Sequence, residues 1–167
     1  MNLETKNQVL ILIAISLVTS FTFNYFRPNG EISYIAVQLP ISDEKSVYAV
    51  ATEPKVSTID LELAKKLHSE GIIFVDARSE DYLIEGFIPG AIYDDDFESL
   101  ATKINNIVDV NKPFVVYCSD DECGSSEELA YELQEWGFTN PKFHNILVFK
   151  GGWRSWNQAG LEIQYFE

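Results

Sequence analysis

The chain has 167 residues, enough for one ordinary domain and an appendage. Its 26 acidic against 12 basic residues give a net charge of −14, which argues against nucleic acid and anionic lipid headgroups as partners. Two cysteines are too few for a disulfide scaffold, and the carboxylate runs Asp94-Asp95-Asp96 and Asp120-Asp121-Glu122 leave room for a basic or membrane protein partner.

No charged residue occurs from Val9 to Phe26. As a helix these eighteen residues rise about 27 Å, close to the hydrocarbon thickness of about 30 Å. Ser16, Thr19, Ser20, Thr22 and Asn24 weaken the second half, while Phe21, Phe23, Tyr25 and Phe26 resemble an interfacial aromatic belt. Residues 1–27 therefore read as a transmembrane signal anchor. The rival is a cleaved signal peptide, but no small-x-small site precedes Arg27-Pro28. Lys6 and the amino terminus, offset by Glu4, favour an inside tail and a single-pass protein with its domain on the extracytoplasmic (periplasmic) side. Residues 28–55 read as an extended linker, punctuated by Pro28-Asn29-Gly30, Leu39-Pro40 and Glu53-Pro54. The patches Ile32–Val37 and Val47-Tyr48-Ala49-Val50 lie within it, the second as an added strand or docking segment.

From 56 to 167 strand and helix patterns alternate. Ser57 or Thr58 is expected to cap a helix carrying Ile59, Leu63, Ala64 and Leu67, ended by Gly71. Ile72–Asp76 is a short apolar run suited to a strand buried on both faces. A capped helical turn follows at Ser79–Tyr82, a brief strand at Ile92-Tyr93, and a helix on Phe97, Leu100, Ala101, Ile104 and Ile107. The strand Phe114–Tyr117 ends in Cys118, and a helix on Ser126, Leu129, Ala130, Leu133 and Trp136 comes next. A last strand, Ile146–Phe149, leads to Gly151-Gly152-Trp153-Arg154-Ser155-Trp156. Such alternation implies an α/β fold, a small parallel sheet with helices on both faces and sites beyond the carboxyl ends of the strands. Asp76 and Cys118 both end strands, so they are expected to face one crevice.

Val75-Asp76-Ala77-Arg78, Glu80-Asp81-Tyr82, Gly86-Phe87-Ile88-Pro89-Gly90-Ala91, the Cys118 loop and Phe149-Lys150-Gly151-Gly152-Trp153-x-x-Trp156 together resemble a rhodanese homology domain. The resemblance implies a sulfurtransferase-type site in which Cys118 carries a persulfide and Asp76 and Arg78 brace its surroundings. It implies no cofactor and no metal. Two departures stand out. Phe87 replaces the family's usual histidine, and the loop Ser119, Asp120, Asp121, Glu122, Cys123, Gly124, Ser125, Ser126 has no arginine or lysine. The loop looks like that of a membrane-associated subgroup with Cys-x4-Cys-x2-Ser. A Cys-x5-Arg phosphatase is excluded because position 124 is glycine.

A helix N-terminus favours a thiolate by about 0.3–1 kcal/mol, and each solvated carboxylate of the loop opposes it by about 1 kcal/mol or less. The effects nearly cancel, and a thiosulfate dianion is repelled. The expected sulfur donor or acceptor is a neutral small thiol or a protein persulfide. Cys123 reads either as a packing residue or as a resolving thiol that attacks the Cys118 persulfide; zinc ligation fits poorly because no second pair exists. Arg78 is expected to pair with an acid such as Glu80, and His68 and His144 to be surface residues; Lys150 and Arg154 are secondary candidates for anion contact. Three functions remain open: a membrane-tethered sulfurtransferase or persulfide carrier, a thiol–disulfide redox protein using Cys118 and Cys123, and a non-catalytic binding module.

Overall fold

The structure, a computed structural model, describes residues 3–26 and 38–165. The reading of Arg27, Pro28-Asn29-Gly30 and Ile32–Val37 lies outside the described residues. Two units are present, an N-terminal helix and a domain that begins at Leu39.

Helix α1 runs Leu3–Tyr25. Its stretch Thr5–Phe23 is long and apolar enough to cross a membrane. The polar residues that weaken the pattern are partly satisfied within the helix. Thr19 Oγ1 donates to Ile15 O at 2.9 Å, and Thr22 Oγ1 to Val18 O at 2.7 Å.

In the domain, α2 spans Glu44–Val47, β1 Lys55–Ile59, α3 Leu61–Ser69, β2 Phe74–Asp76 and α4 Glu80–Leu83. Then come α5 Phe97–Ile107, β3 Phe114–Tyr117, α6 Ser125–Gly137, a 3-10 turn Pro141–Phe143, β4 Asn145–Phe149 and α7 Gly152–Gln158. The four strands form a parallel sheet in the order β1-β4-β3-β2. Each strand is buried on both faces because its residues alternate between two cores. Val116 and Val148 face Leu100, Ile104 and Leu133 of α5 and α6. Val115, Tyr117, Leu147 and Phe149 face Leu67, Trp153 and Trp156 of α3 and α7.

Ser57 and Thr58 do not cap a helix. They lie in β1, opposite Leu147 and Val148. The cap is Asp60, whose Oδ1 accepts from Leu63 N at 2.9 Å. Val56, Thr58 and Ile59 are β-branched, which is strand chemistry, and a paired ladder outweighs a capping hydroxyl. Ile92 forms a single bridge to Val75 rather than a strand.

Residues 39–54 pack on this sheet. Thr58 N donates to Pro40 O and Ser42 N to Thr58 O, both at 2.8 Å, so they cover the outer edge of β1 at Thr58. Val47 is fully buried in the core beside Ile59 and Leu147. The β2 edge is covered by Ile92, which exchanges hydrogen bonds with Phe74 O and Asp76 N. Neither edge of the sheet is bare among the described residues.

The histidines differ from expectation. His68 is half-buried, its Nε2 2.9 Å from Pro89 O and its ring against Phe74 and Trp156. His144 joins Ala51 O to Gly137 O. Both hold loops to the sheet.

Candidate active site

Beyond the carboxyl ends of β2 and β3 lies a crevice of about 510 Å³. Asp76, Arg78, Cys118, Ser119, Cys123 and Ser125 all line it. The shared crevice expected for Asp76 and Cys118 is thus present. Cys118 is 3% exposed, and its sulfur is bonded to Cys123, with the Cα atoms 6.2 Å apart. Gly124 precedes the first turn of α6, Ser125 is exposed and Ser126 is buried.

The loop between the cysteines is less bare of positive charge than its sequence. Arg154, brought in by α7, pairs with Asp120 Oδ2 at 2.8 Å. Asp120 Oδ1 accepts from Glu122 N at 3.2 Å, and its carbonyl accepts from Cys123 N at 3.3 Å. Asp120 therefore shapes the loop, leaving Asp121 and Glu122 as its exposed acids. The two secondary candidates for anion contact each have an acidic partner, Arg154 with Asp120 and Lys150 with Glu127 at 2.8 Å.

The start of α7 anchors the loop from behind. Trp153 N donates to Cys118 O and Arg154 N to Ser119 O, both at 2.8 Å. Gly152 makes this approach possible. Its φ is +56°, and a Cβ there would fall 2.3 Å from Cys118 O.

Arg78 pairs with Asp76, not Glu80. The two side chains are each 1% exposed, with Nη2 2.6 Å from Oδ2 and Nε 3.0 Å from Oδ1. The reason is the turn after β2. Arg78 N donates to Asp76 Oδ1 at 3.0 Å, folding the arginine back over the strand end. Arg78 Nη2 also donates to Gly86 O at 2.8 Å, and the guanidinium lies 4.8 Å from the Trp153 ring centre. Burial works against the charge on Arg78, but its bond to Asp76 and that carboxylate's charge outweigh burial and raise its pKa. Arg78 is therefore a brace, not a crevice cation free to bind substrate.

Tyr117 completes this network and was not singled out by sequence reasoning. Its hydroxyl donates to Asp76 Oδ2 at 2.6 Å and accepts from Ile88 N at 3.2 Å. Its place in an apolar run concealed the role. Burial, then the Asp76 charge, push the phenol well above its usual 10. A raised folded pKa makes this contribution complete below about pH 10 and lost as pH climbs toward the folded value, because the unfolded phenol ionises first. One such phenol adds a slope of about 1.4 kcal/mol per pH unit. Tyr48 and Tyr93 are also raised, Tyr48 to about 12 by burial and then by its bond to Glu70. Urea unfolding above about pH 10 is thus expected to show falling stability, with Tyr117→Phe shallower than wild type by one proton's slope. An unchanged slope would remove Tyr117 as a source.

No cluster of histidine, cysteine and carboxylate able to hold a metal occurs among the described residues. The sequence model of the rhodanese-like domain family matches residues 60–159. No curated protein sequence matches the chain. Among solved structures, a Bacillus halodurans protein superposes with TM-score 0.52 at 20% identity, over 64% of this chain and 74% of that one. The rhodanese-like domain of an Anabaena protein gives 0.50 at 21%, over 64% and 77%. A Lactobacillus plantarum protein gives 0.51 at 20%, over 65% and 87%. At such identities these structures support the fold alone.

Proposed function

Because the chain belongs to the rhodanese-like family, whose domain is generally a sulfurtransferase-type module, we propose that it is a membrane-tethered sulfurtransferase or persulfide carrier acting through Cys118. The observation that carries this reading is the position of Cys118 at the end of β3, lining the crevice and bonded to Cys123. In the reduced protein, Cys118 thiolate attacks the outer sulfur of a donor persulfide. That sulfur forms a bond to Cys118, and the donor thiolate leaves with the electron pair. Transfer to an acceptor thiol repeats the step in reverse. In its absence, Cys123 attacks the inner sulfur of the Cys118 persulfide, expelling hydrosulfide and forming the Cys118–Cys123 disulfide. The acidic surroundings favour a neutral or protein-borne donor over a small dianion.

Exposure of reduced protein to a persulfide donor, followed by intact-mass and fragment analysis, tests both roles. Cys123→Ser is expected to accumulate one added sulfur on Cys118 several-fold beyond wild type, and Cys118→Ser to accumulate none there. No gain in either protein would rule out sulfur carriage. A second reading, a thiol–disulfide redox protein, is favoured by the bonded cysteines themselves. It predicts reversible oxidation of the pair with no sulfur gain in Cys123→Ser.

A further inference from the structure

The disulfide presents its two sulfur residues unequally. Cys118 is 3% exposed at the end of β3, whereas Cys123 is only half-buried in the loop. Thiol–disulfide exchange proceeds by attack of a thiolate on one sulfur, and access decides which. The crevice beside the pair is also strongly anionic. Asp94, Asp95, Glu128 and Glu132 line it, and of these only Asp94 has an ion-pair partner among the described residues, Lys103. The deeper Asp76 is neutralised by Arg78.

We infer that the disulfide is opened from this crevice by attack on Cys123 of a thiol borne on a positively charged molecule, which frees Cys118 as the thiolate. This rests on Cys118 being the nucleophile of the site. The incoming thiolate forms a bond to Cys123 Sγ, the Cys118–Cys123 bond breaks, and the electron pair leaves on Cys118. A second thiolate then attacks the reductant's sulfur in the mixed disulfide, and Cys123 departs as thiolate. Two reductant thiols are oxidised to a disulfide, and the protein's disulfide is reduced by the same two electrons. A cleft of one charge sign concentrates ions of the other, which speeds a cationic thiol and slows an anionic one. The more accessible residue accepts the attack, and the buried one is released where its backbone carbonyl is held by Trp153 N.

Full-length oxidised protein in non-ionic micelles is treated with cysteamine, β-mercaptoethanol or mercaptoethanesulfonate at equal thiolate concentration. Samples are quenched with acid, alkylated and mapped by fragment mass. The expected adduct is a mixed disulfide on Cys123 with Cys118 alkylated. At low salt cysteamine should react about tenfold faster than the sulfonate, with the gap narrowing as salt screens the cleft. Glu128→Gln together with Glu132→Gln should narrow it likewise. An adduct on Cys118, or rates unordered by charge, overturns the inference. Persulfide formation on pre-reduced protein is scored separately. Its absence counts against sulfur carriage and leaves the opening route standing.

Discussion

Asp76→Ala is expected to remove about 3–5 kcal/mol of stability, a large share of the about 5–15 kcal/mol of a typical domain. The loss arises because the guanidinium of Arg78 stays buried without its carboxylate, while the Tyr117 hydroxyl loses its acceptor. Coulomb attraction alone would give a poorer account, since a buried pair roughly cancels its own desolvation. The test is therefore a double-mutant cycle by urea unfolding. Asp76→Leu with Arg78→Met should cost less than Asp76→Ala alone, because no charge is then stranded. If the double replacement costs as much as the sum of the singles, the network is not held together by mutual neutralisation.

Gly152→Ala should be of comparable severity, about 2–4 kcal/mol, for a different reason. A side chain at φ +56° is strained, and its Cβ would collide with the Cys118 carbonyl. Gly160 separates the two causes. Its φ is +67°, but nothing lies within 4 Å of a Cβ built there, so Gly160→Ala carries strain alone, about 1–2 kcal/mol. Denaturant unfolding of both variants checks the difference; equal losses would show that the collision is relieved cheaply. Gly152→Ala must also push the carbonyl away from Trp153 N, so the cysteine loop should open to β-mercaptoethanol faster than in Gly160→Ala.

The sheet and the placing of Cys118 were legible because they rest on local signals. Phe114–Tyr117 is a continuous run of aromatic and β-branched residues, and a helical repeat follows within ten residues. Phe97–Ile107 carries its apolar face at helical spacing and forms as a helix with Leu100, Ala101 and Ile104 buried. What failed to show was pairing at a distance or across a sharp turn. Glu80 is two residues after Arg78 and Asp76 two before, so sequence spacing gave no preference. The fold-back after β2 chose Asp76. Arg154 is far from Asp120 in sequence and meets it only because α7 docks against the cysteine loop. Tyr117 sits among valines and phenylalanine, and nothing local tells a core tyrosine from one whose hydroxyl has a carboxylate to meet. At β1, the reading favoured Ser57 and Thr58 as caps because β4, the partner that makes them a strand, lies about ninety residues away.

The covered sheet edges bear on behaviour in a crowd. An exposed strand edge is a template on which another chain can add its own strand. Helix α1 is long and apolar enough to cross a membrane, and in that setting copies would share a plane where encounters are frequent. With Pro40 and Ser42 against β1 and Ile92 against β2, the sheet offers such neighbours little to extend. Close packing of copies is then compatible with each domain remaining separate, and deletion of residues 39–42 is expected to invite edge-to-edge association.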